Sequence, residues 1–396
     1  MTSTLPVILL FLFSTFSIVL PDDGHWTLVG NVSVVVTEVT SVSVTVISDL
    51  KCDLNCTFNA TFIGSANLSK FPRNCSTICA SPLYIGSDTD LTEKQLTNAF
   101  KNMKHLIGGL TVNGSKFKSG KFLAGLETVD CDNIGFFKWS SNDNLTEIGL
   151  PNLKTVACQV EISSNKKLTN LNLPKMTPTP NLSSNDTNSS RINVEISNNS
   201  PDLCITIQEM TNLLSEENVD IGTIPSKYCN TSSTSNSTDK TCGLENSTLA
   251  AMESGCVQVQ GDVFIGADEE EFVHKLESVE SIYGSLTIDG TNLTNIDFLG
   301  GLERVITLRD NQTAILIQYN QNLVNVSFPS LNKVYSNALN PIVFFNNSEE
   351  LSKDSETCFS IRTVLNTSDS WVPTFDGQQC GEPVNRKYKK KKFQKK

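Results

Sequence analysis

The amino-acid sequence predicts an α/β-type solenoid present as two tandem copies, and three observations carry that prediction. LTVNGSKFKSGKFLAGLETV at 110–129 matches LTIDGTNLTNIDFLGGLERV at 286–305 without a gap, nine of twenty positions being identical. The match continues from NDNLTEIGLPNLKTV at 142–156 to NQNLVNVSFPSLNKV at 320–334, while upstream PLYIG at 82–86 faces DVFIG at 262–266. Within one copy, apolar pairs alternate at Leu110-x-Val112, Phe137-x-Trp139, Val160-x-Ile162 and Val194-x-Ile196, the last three followed after three residues by Asn142, Asn165 and Asn199. Similarity at this scale is duplication. A short strand, an asparagine and a turn repeated every 23 to 34 residues describe coils that each contribute one such strand.

In chain order, residues 1–20 end in an apolar run, LPVILLFLFSTFSIVL, met at once by polar PDDGH. That run is short for a membrane span of about 20 residues and suits a signal peptide; an uncleaved anchor is the alternative. Residues 21–74 read as an N-terminal, β-prone, glycosylated segment. In it Val32, Val34 and Val36, then Val42, Val44 and Val46, alternate as in a strand. Either a hairpin or an irregular leader accommodates them.

The first solenoid domain is assigned to 75–229. TDLTEKQLTNAF at 89–100 reads as a helix opened by a Thr92/Gln95 capping box. NTSSTSNSTDKT fills a polar linker at 230–241, and the second domain runs over 242–380. Its helix counterpart spaces Phe272, Leu276 and Val279 as an amphipathic face. FLAGLETV at 122–129 and FLGGLERV at 298–305 lack the strand–loop–helix context of a phosphate cradle. What both keep is Phe-Leu-x-x-Leu-x-x-Val, the spacing of a coil turning back into its core. Residues 381–396 form a basic tail, and no second apolar stretch of span length follows the first.

Export is the compartment the composition predicts. Nineteen Asn-x-Ser/Thr sequons occur, at Asn31, Asn55, Asn59, Asn67, Asn74, Asn113, Asn144, Asn181, Asn185, Asn188, Asn198, Asn230, Asn236, Asn246, Asn292, Asn311, Asn325, Asn346 and Asn366. With 39 asparagines in all, chance would give about eight, so a glycosylated surface is expected. Twelve cysteines, an even number, suit disulfides in an oxidising space. The formal charge is −11, and an acidic exported body argues against nucleic acid as a partner. The eight Lys and Arg of RKYKKKKFQKK form either a solvated end or a functional one, a hold on anionic matrix polysaccharide or a site of processing at basic residues.

A search for chemistry returns little. The sequence contains no G-x-S-x-G, H-E-x-x-H, G-x-G-x-x-G or P-loop motif, and its three histidines, His25, His105 and His274, stand apart. No enzyme, cofactor or metal is expected. The acidic run Asp268–Glu271 suits a helix start better than a calcium loop, lacking that loop's glycine and closing glutamate.

Surface remains. If the apolar pairs point inward, the residues between them point outward. One outward column then reads Tyr84, Thr111, Lys138, Glu161 and Glu195 in the first domain, flanked by Ser140, Ser163 and Ser197. Its equivalent in the second reads Phe264, Thr287, Leu316 and Val343, with Gln318 and Phe345 beside it. A polar ladder thus faces an apolar strip, and such a strip marks a partner or a covered interface. Phe264, Leu316, Gln318, Val343 and Phe345 are the candidate partner-binding residues, contacting a protein ligand or packing on the first domain.

These features resemble the receptor L domain, the ligand-binding half-module of insulin and epidermal growth factor receptors. The resemblance rests on CVQVQGDVFI at 256–265, then YGSLTI, FLGGLERV, the N-x-x-L-x-x-x-x-x-P-x-L-x-x-V series and a late cysteine. The first copy carries the same series, ending NNSPDLC at Cys204. It implies two tandem L domains, each a short right-handed parallel β-helix with a capping helix, leucine-rich-repeat-like and closed by disulfides. A twelve-residue linker stands where receptors of this family place a Cys-rich module, so the arrangement resembles secreted invertebrate double-L-domain proteins. The function implied is non-catalytic recognition of an extracellular protein ligand, an insulin- or growth-factor-like peptide, as decoy or carrier. A structural or adhesive matrix glycoprotein is the alternative.

Cysteine pairing follows from the duplication. Cys131 and Cys158 map onto Thr307 and Ser336, a pair missing together. Cys204–Cys229 corresponds to Cys358–Cys380, and Cys242–Cys256 opens the second copy. Cys75 is left to pair with Cys52 or Cys56, and Cys79 with the other. A zinc site at those four is the competing reading.

Overall fold

A computed structural model of the chain describes residues 52–131, 135–180, 191–230, 240–244, 248–353, 355–365 and 372–379. Both copies of the duplication lie in one compact unit that begins at Asn55. The apolar run at 5–20, the valine-rich stretch at 31–47, most of the linker, Cys380 and the basic tail fall outside the described residues.

Each coil of the first domain gives one strand to each of two sheets. One sheet orders Thr57–Phe58, Thr77–Ala80, His105–Ile107, Thr128–Asp130, Thr155–Ala157 and Thr177–Pro178, all parallel. The other orders Leu83–Gly86, Leu110–Asn113, Phe136–Ser140, Gln159–Ser163, Ile192–Ser197 and Val219–Ile221, also parallel. Single bridges linking Ser119, Glu147, Asn170 and Cys204 mark a third side.

The second domain repeats the plan. A five-stranded parallel sheet runs Thr241–Gly243, Gln258–Gln260, Ser281–Tyr283, Arg304–Ile306 and Lys333–Tyr335. Beside it run Val263–Ile265, Leu286–Asp289, Ile315–Gln318 and Ile342–Phe345. Thr374–Phe375 and an antiparallel Gln378–Gln379 extend that second sheet. Two-residue alternation decides what is inside: Leu83, Ile85, Leu110, Val112, Phe137, Trp139, Val160, Ile162, Val194 and Ile196 are buried between the sheets.

Buried asparagines tie successive coils together. Asn142 Nδ2 donates to the Val112 carbonyl at 3.0 Å, and its own backbone N–H donates to Asn165 Oδ1 at 3.0 Å. Asn165 repeats this on Trp139 and Asn199, at 2.9 and 3.0 Å. In the second domain Asn320 bonds the Ile288 carbonyl and Asn347 Oδ1 at 3.0 and 3.1 Å. The residue before each of these asparagines turns left-handed: Ser141, Ser164, Asn198, Tyr319 and Asn346 have φ between 49° and 60°. The bend strips backbone groups of strand partners, and the following asparagine, carrying both a donor and an acceptor, replaces them.

Coils approach most closely at two duplicated glycines. A Cβ on Gly108, at φ 107°, would lie 1.6 Å from the Ala80 carbonyl oxygen, and one on Gly284 would lie 2.1 Å from that of Gly261. These are the glycines of IGGLTV and YGSLTI. The repeated FLxGLExV stretches form 3-10 turns, Lys121–Leu123 and Asp297–Leu299, that bury Leu126, Val129, Leu302 and Val305.

Helix α1, Glu93–Phe100, opens with the Thr92/Gln95 capping box and buries Leu96, Ala99 and Phe100. Phe100 joins an aromatic row with Phe71 at 5.1 Å and Phe122 at 6.2 Å. Its counterpart corrects an expectation: Ala267–Leu276 is a 3-10 helix, with only Leu276 buried within it. The physical reason lies at its start. Gly266 supplies no side-chain cap, and Glu269 and Glu270 serve backbone N–H groups outside the helix, those of Ala250 and Asn292 at 3.0 and 2.6 Å, rather than its own first turn.

Disulfides join Cys56–Cys75, Cys131–Cys158, Cys204–Cys229 and Cys242–Cys256. Cys75 therefore takes Cys56. Cys52, Cys79 and Cys358 are also disulfide-bonded, so the thiolates that a zinc site at Cys52, Cys56, Cys75 and Cys79 needs are not there.

Candidate functional site

The outward faces of the two wider sheets differ in chemistry. In the first domain Tyr84, Thr111, Lys138, Glu161 and Glu195 align in one register column. It carries a cation with its own partner, Lys138 Nζ meeting Glu161 Oε2 at 2.7 Å, and at the sheet's edge Arg191 grips Asp220 through two contacts of 2.6 Å. Ser163 and Ser197 donate to Glu161 and Glu195 at 2.8 and 2.7 Å.

The equivalent column of the second domain aligns Phe264, Thr287, Leu316 and Val343, and the next aligns Asp289, Gln318 and Phe345. Phe264 is 54% exposed and Phe345 43%, with Leu316, Gln318 and Val343 half-buried. Phe264 lies across Gly266, where a Cβ would meet its ring at 3.0 Å. Tyr84 lies across Gly86 in the same way in the first domain. Gln318 Nε2 donates to Asp289 Oδ2 at 3.0 Å. None of the six strands of this sheet contains a Lys or Arg.

One member of this face escaped the sequence reading. Tyr319, 46% exposed, sets its ring edge-on to Phe345 at 5.6 Å between centroids. Counting by twos along the strand stops at Gln318, but the left-handed turn at Tyr319 swings its side chain onto the same face. The signal was its place immediately before a ladder asparagine.

The first domain docks elsewhere, on the five-stranded sheet of the second. Tyr283 and Thr211 share a hydrogen bond of 2.6 Å, Tyr228 OH donates to the Ile306 carbonyl at 3.1 Å, and Gln260 Nε2 donates to the Cys229 carbonyl at 3.0 Å. Tyr335 OH accepts from Ile224 N–H at 3.0 Å and donates to the Gly222 carbonyl at 2.8 Å. Tyr228 and Tyr283 pack edge to face at 5.5 Å. Burial first, then the neighbouring Tyr283 and Tyr335, push the Tyr228 hydroxyl well above its usual 10; burial raises Tyr335 too, against the pull of Ile224 N–H.

With the duplicated two-sheet coils in view, comparison with known proteins decides the family. A sequence model of the receptor L domain matches residues 74–178 and 255–363, more than half the chain. The chain belongs to the receptor L-domain family. Two receptor L domains thus follow one another in it, a ligand-binding, non-enzymatic type of domain. It is similar to Protein irld-34 of Caenorhabditis elegans, 23% identical over 310 residues that cover 75% of this chain and 70% of that protein. Among the described residues no helix is long and apolar enough to cross a membrane. The disulfides are compatible with an extracellular receptor L-domain protein.

Proposed function

We propose that this chain is a secreted, glycosylated binding protein whose second L domain receives an extracellular protein ligand on the strip of Phe264, Leu316, Gln318, Val343 and Phe345. The observation that carries the reading is the exposure of Phe264 and Phe345 on a regular sheet face, while the contacts with the first domain use another sheet. Exposed aromatic and aliphatic side chains on a rigid scaffold are what protein recognition uses. The ligand class is an insulin- or growth-factor-like peptide, held as by a decoy or carrier, in keeping with the L-domain family. The proposed domains are 75–229 and 242–380, each a right-handed β-helix, α1 serving as a cap. Twelve of the nineteen sequon asparagines are among the described residues and none is buried, which supports their carrying glycans.

Leu316→Asp and Phe345→Asp, each secreted and matching the parent in circular dichroism, test the strip. Capture of a peptide ligand from extracellular fluid should weaken by at least about tenfold, or 1.4 kcal/mol. Unchanged capture would remove the strip from the site. The basic tail supports a second reading, a matrix glycoprotein held on anionic polysaccharide. Salt-sensitive retention on heparin, lost on deleting 386–396, is its expected signature.

A further inference from the structure

The strip's surroundings say what chemistry its partner carries. Acidity in this chain is concentrated in the second domain: residues 242–380 contain 19 Asp and Glu against 6 Lys and Arg, while 75–229 contain 16 against 13. Part of that excess borders the strip. Asp289 lies in the column of Gln318 and Phe345. Glu270 touches Asn292 N–H, and Glu270 and Glu271 line a shallow hollow with Leu293 and Ala267, the residue after Gly266, over which the Phe264 ring lies. Asp376 accepts from Asn346 N–H at 2.6 Å, one residue past Phe345. The ion pairs found among the described residues do not include Asp289, Glu270 or Glu271. The first domain's equivalent face carries Lys138, which pairs with Glu161. An apolar strip rimmed by carboxylates, with no cation on its strands, attracts one kind of surface and repels its opposite.

We infer that the partner presents a cationic amphipathic segment: apolar side chains lying on Phe264, Leu316, Val343 and Phe345, with flanking Lys or Arg reaching Asp289 and Glu270. The inference rests on the strip being the binding face, and adds the charge of what binds there. Apolar contact supplies most of the affinity, and the rim selects the partner and speeds its approach.

The test uses the full secreted chain and three labelled 18-residue helical peptides: Leu on one face with Lys elsewhere, Leu with Glu, and Ser with Lys. Fluorescence anisotropy is read at low and at roughly threefold Debye-screened salt. The Leu/Lys peptide should bind at least about tenfold more tightly than either other peptide, at a cost that grows with salt. Leu316→Ser with Phe345→Ser should abolish the difference from the Ser/Lys peptide. Asp289→Asn with Glu270→Gln should slow association about threefold to tenfold and flatten the salt dependence. Equal binding of the Leu/Glu peptide overturns the inference and leaves the strip as a binding face. Binding of Leu/Lys that ignores the serine variants, or is matched by Ser/Lys, also overturns it, as does no binding by any peptide. Binding that appears only after removal of 386–396 overturns it as well, since the occupant is then the chain's own basic tail. The strip reading itself fails separately, when capture of a natural ligand is indifferent to Leu316→Asp.

Discussion

A single buried asparagine does more for this fold than its size implies. Asn165 donates to the Trp139 carbonyl, and its backbone N–H reaches Asn199, while its Oδ1 accepts from both the backbone and the side chain of Asn142. Alanine there strands a buried carbonyl and a buried N–H at once, each costing about 1–3 kcal/mol when unmet. Asn165→Ala should therefore destabilise the protein by about 2–5 kcal/mol in urea unfolding. Asp143, the residue after the ladder's Asn142 and paired only loosely with Lys166 at 3.9 Å in exposed surroundings, provides the contrast: Asp143→Asn should move stability by less than about 0.5 kcal/mol. Equal effects would mean that the ladder is incidental to the coil. Tyr319, left-handed where other coils use Ser or Asn, accepts a less favoured backbone region to place an aromatic ring against Phe345. Tyr319→Asn should hold or raise stability while weakening ligand capture.

At the scale of elements, capping chemistry separates the two copies. The Thr92/Gln95 box gives α1 a regular start, and Thr92→Ala should lower stability by about 1 kcal/mol. Strand register was legible because period two and a fixed asparagine define it: Tyr84 to Glu195 and Phe264 to Val343 form the columns that alternation predicts. The spacing of Phe272, Leu276 and Val279 pointed to an α-helix, but periodicity is silent about a missing cap and about carboxylates engaged outside the helix, and a 3-10 helix results. The difference between the copies at Tyr283 and Tyr335, where the first copy has Ile107 and Ala157, was visible. Its meaning was not, because only three-dimensional packing shows that this column meets the first domain. The close approach at Gly284 was equally hidden, since sequence supplies the residue and not the carbonyl opposite. Gly284→Ala should abolish recovery of folded protein, whereas Gly290→Ala, with nothing within 4 Å but a φ of 64°, should cost only about 1 kcal/mol.

The whole molecule depends on the tyrosine seam that unites its two domains. Tyr335 is its centre, bonded to Ile224, Gly222 and Asn337, and Tyr228, Tyr283, Ile306 and Leu308 belong to a hydrophobic cluster shared with the first domain. A seam of this kind makes the pair of domains unfold as one cooperative body, and it leaves the acidic strip of the second domain uncovered. Its pH dependence has a definite sign. Burial raises the Tyr228 and Tyr335 hydroxyls, so the folded state holds those protons to higher pH than the unfolded chain, whose phenols titrate near 10. The stability this contributes is complete below about pH 10 and is lost as pH climbs beyond it. Calorimetry at pH 7 should show one transition, and tyrosinate absorbance should rise late, together with unfolding, for these two residues. Tyr335→Phe keeps the ring and removes the hydroxyl, so the alkaline loss should shrink while the single transition persists. Tyr335→Ala also opens a cavity and should split unfolding into two transitions. A single transition at unchanged temperature in Tyr335→Ala would show that the seam does not couple the domains, and that each coil stack stands by its own core.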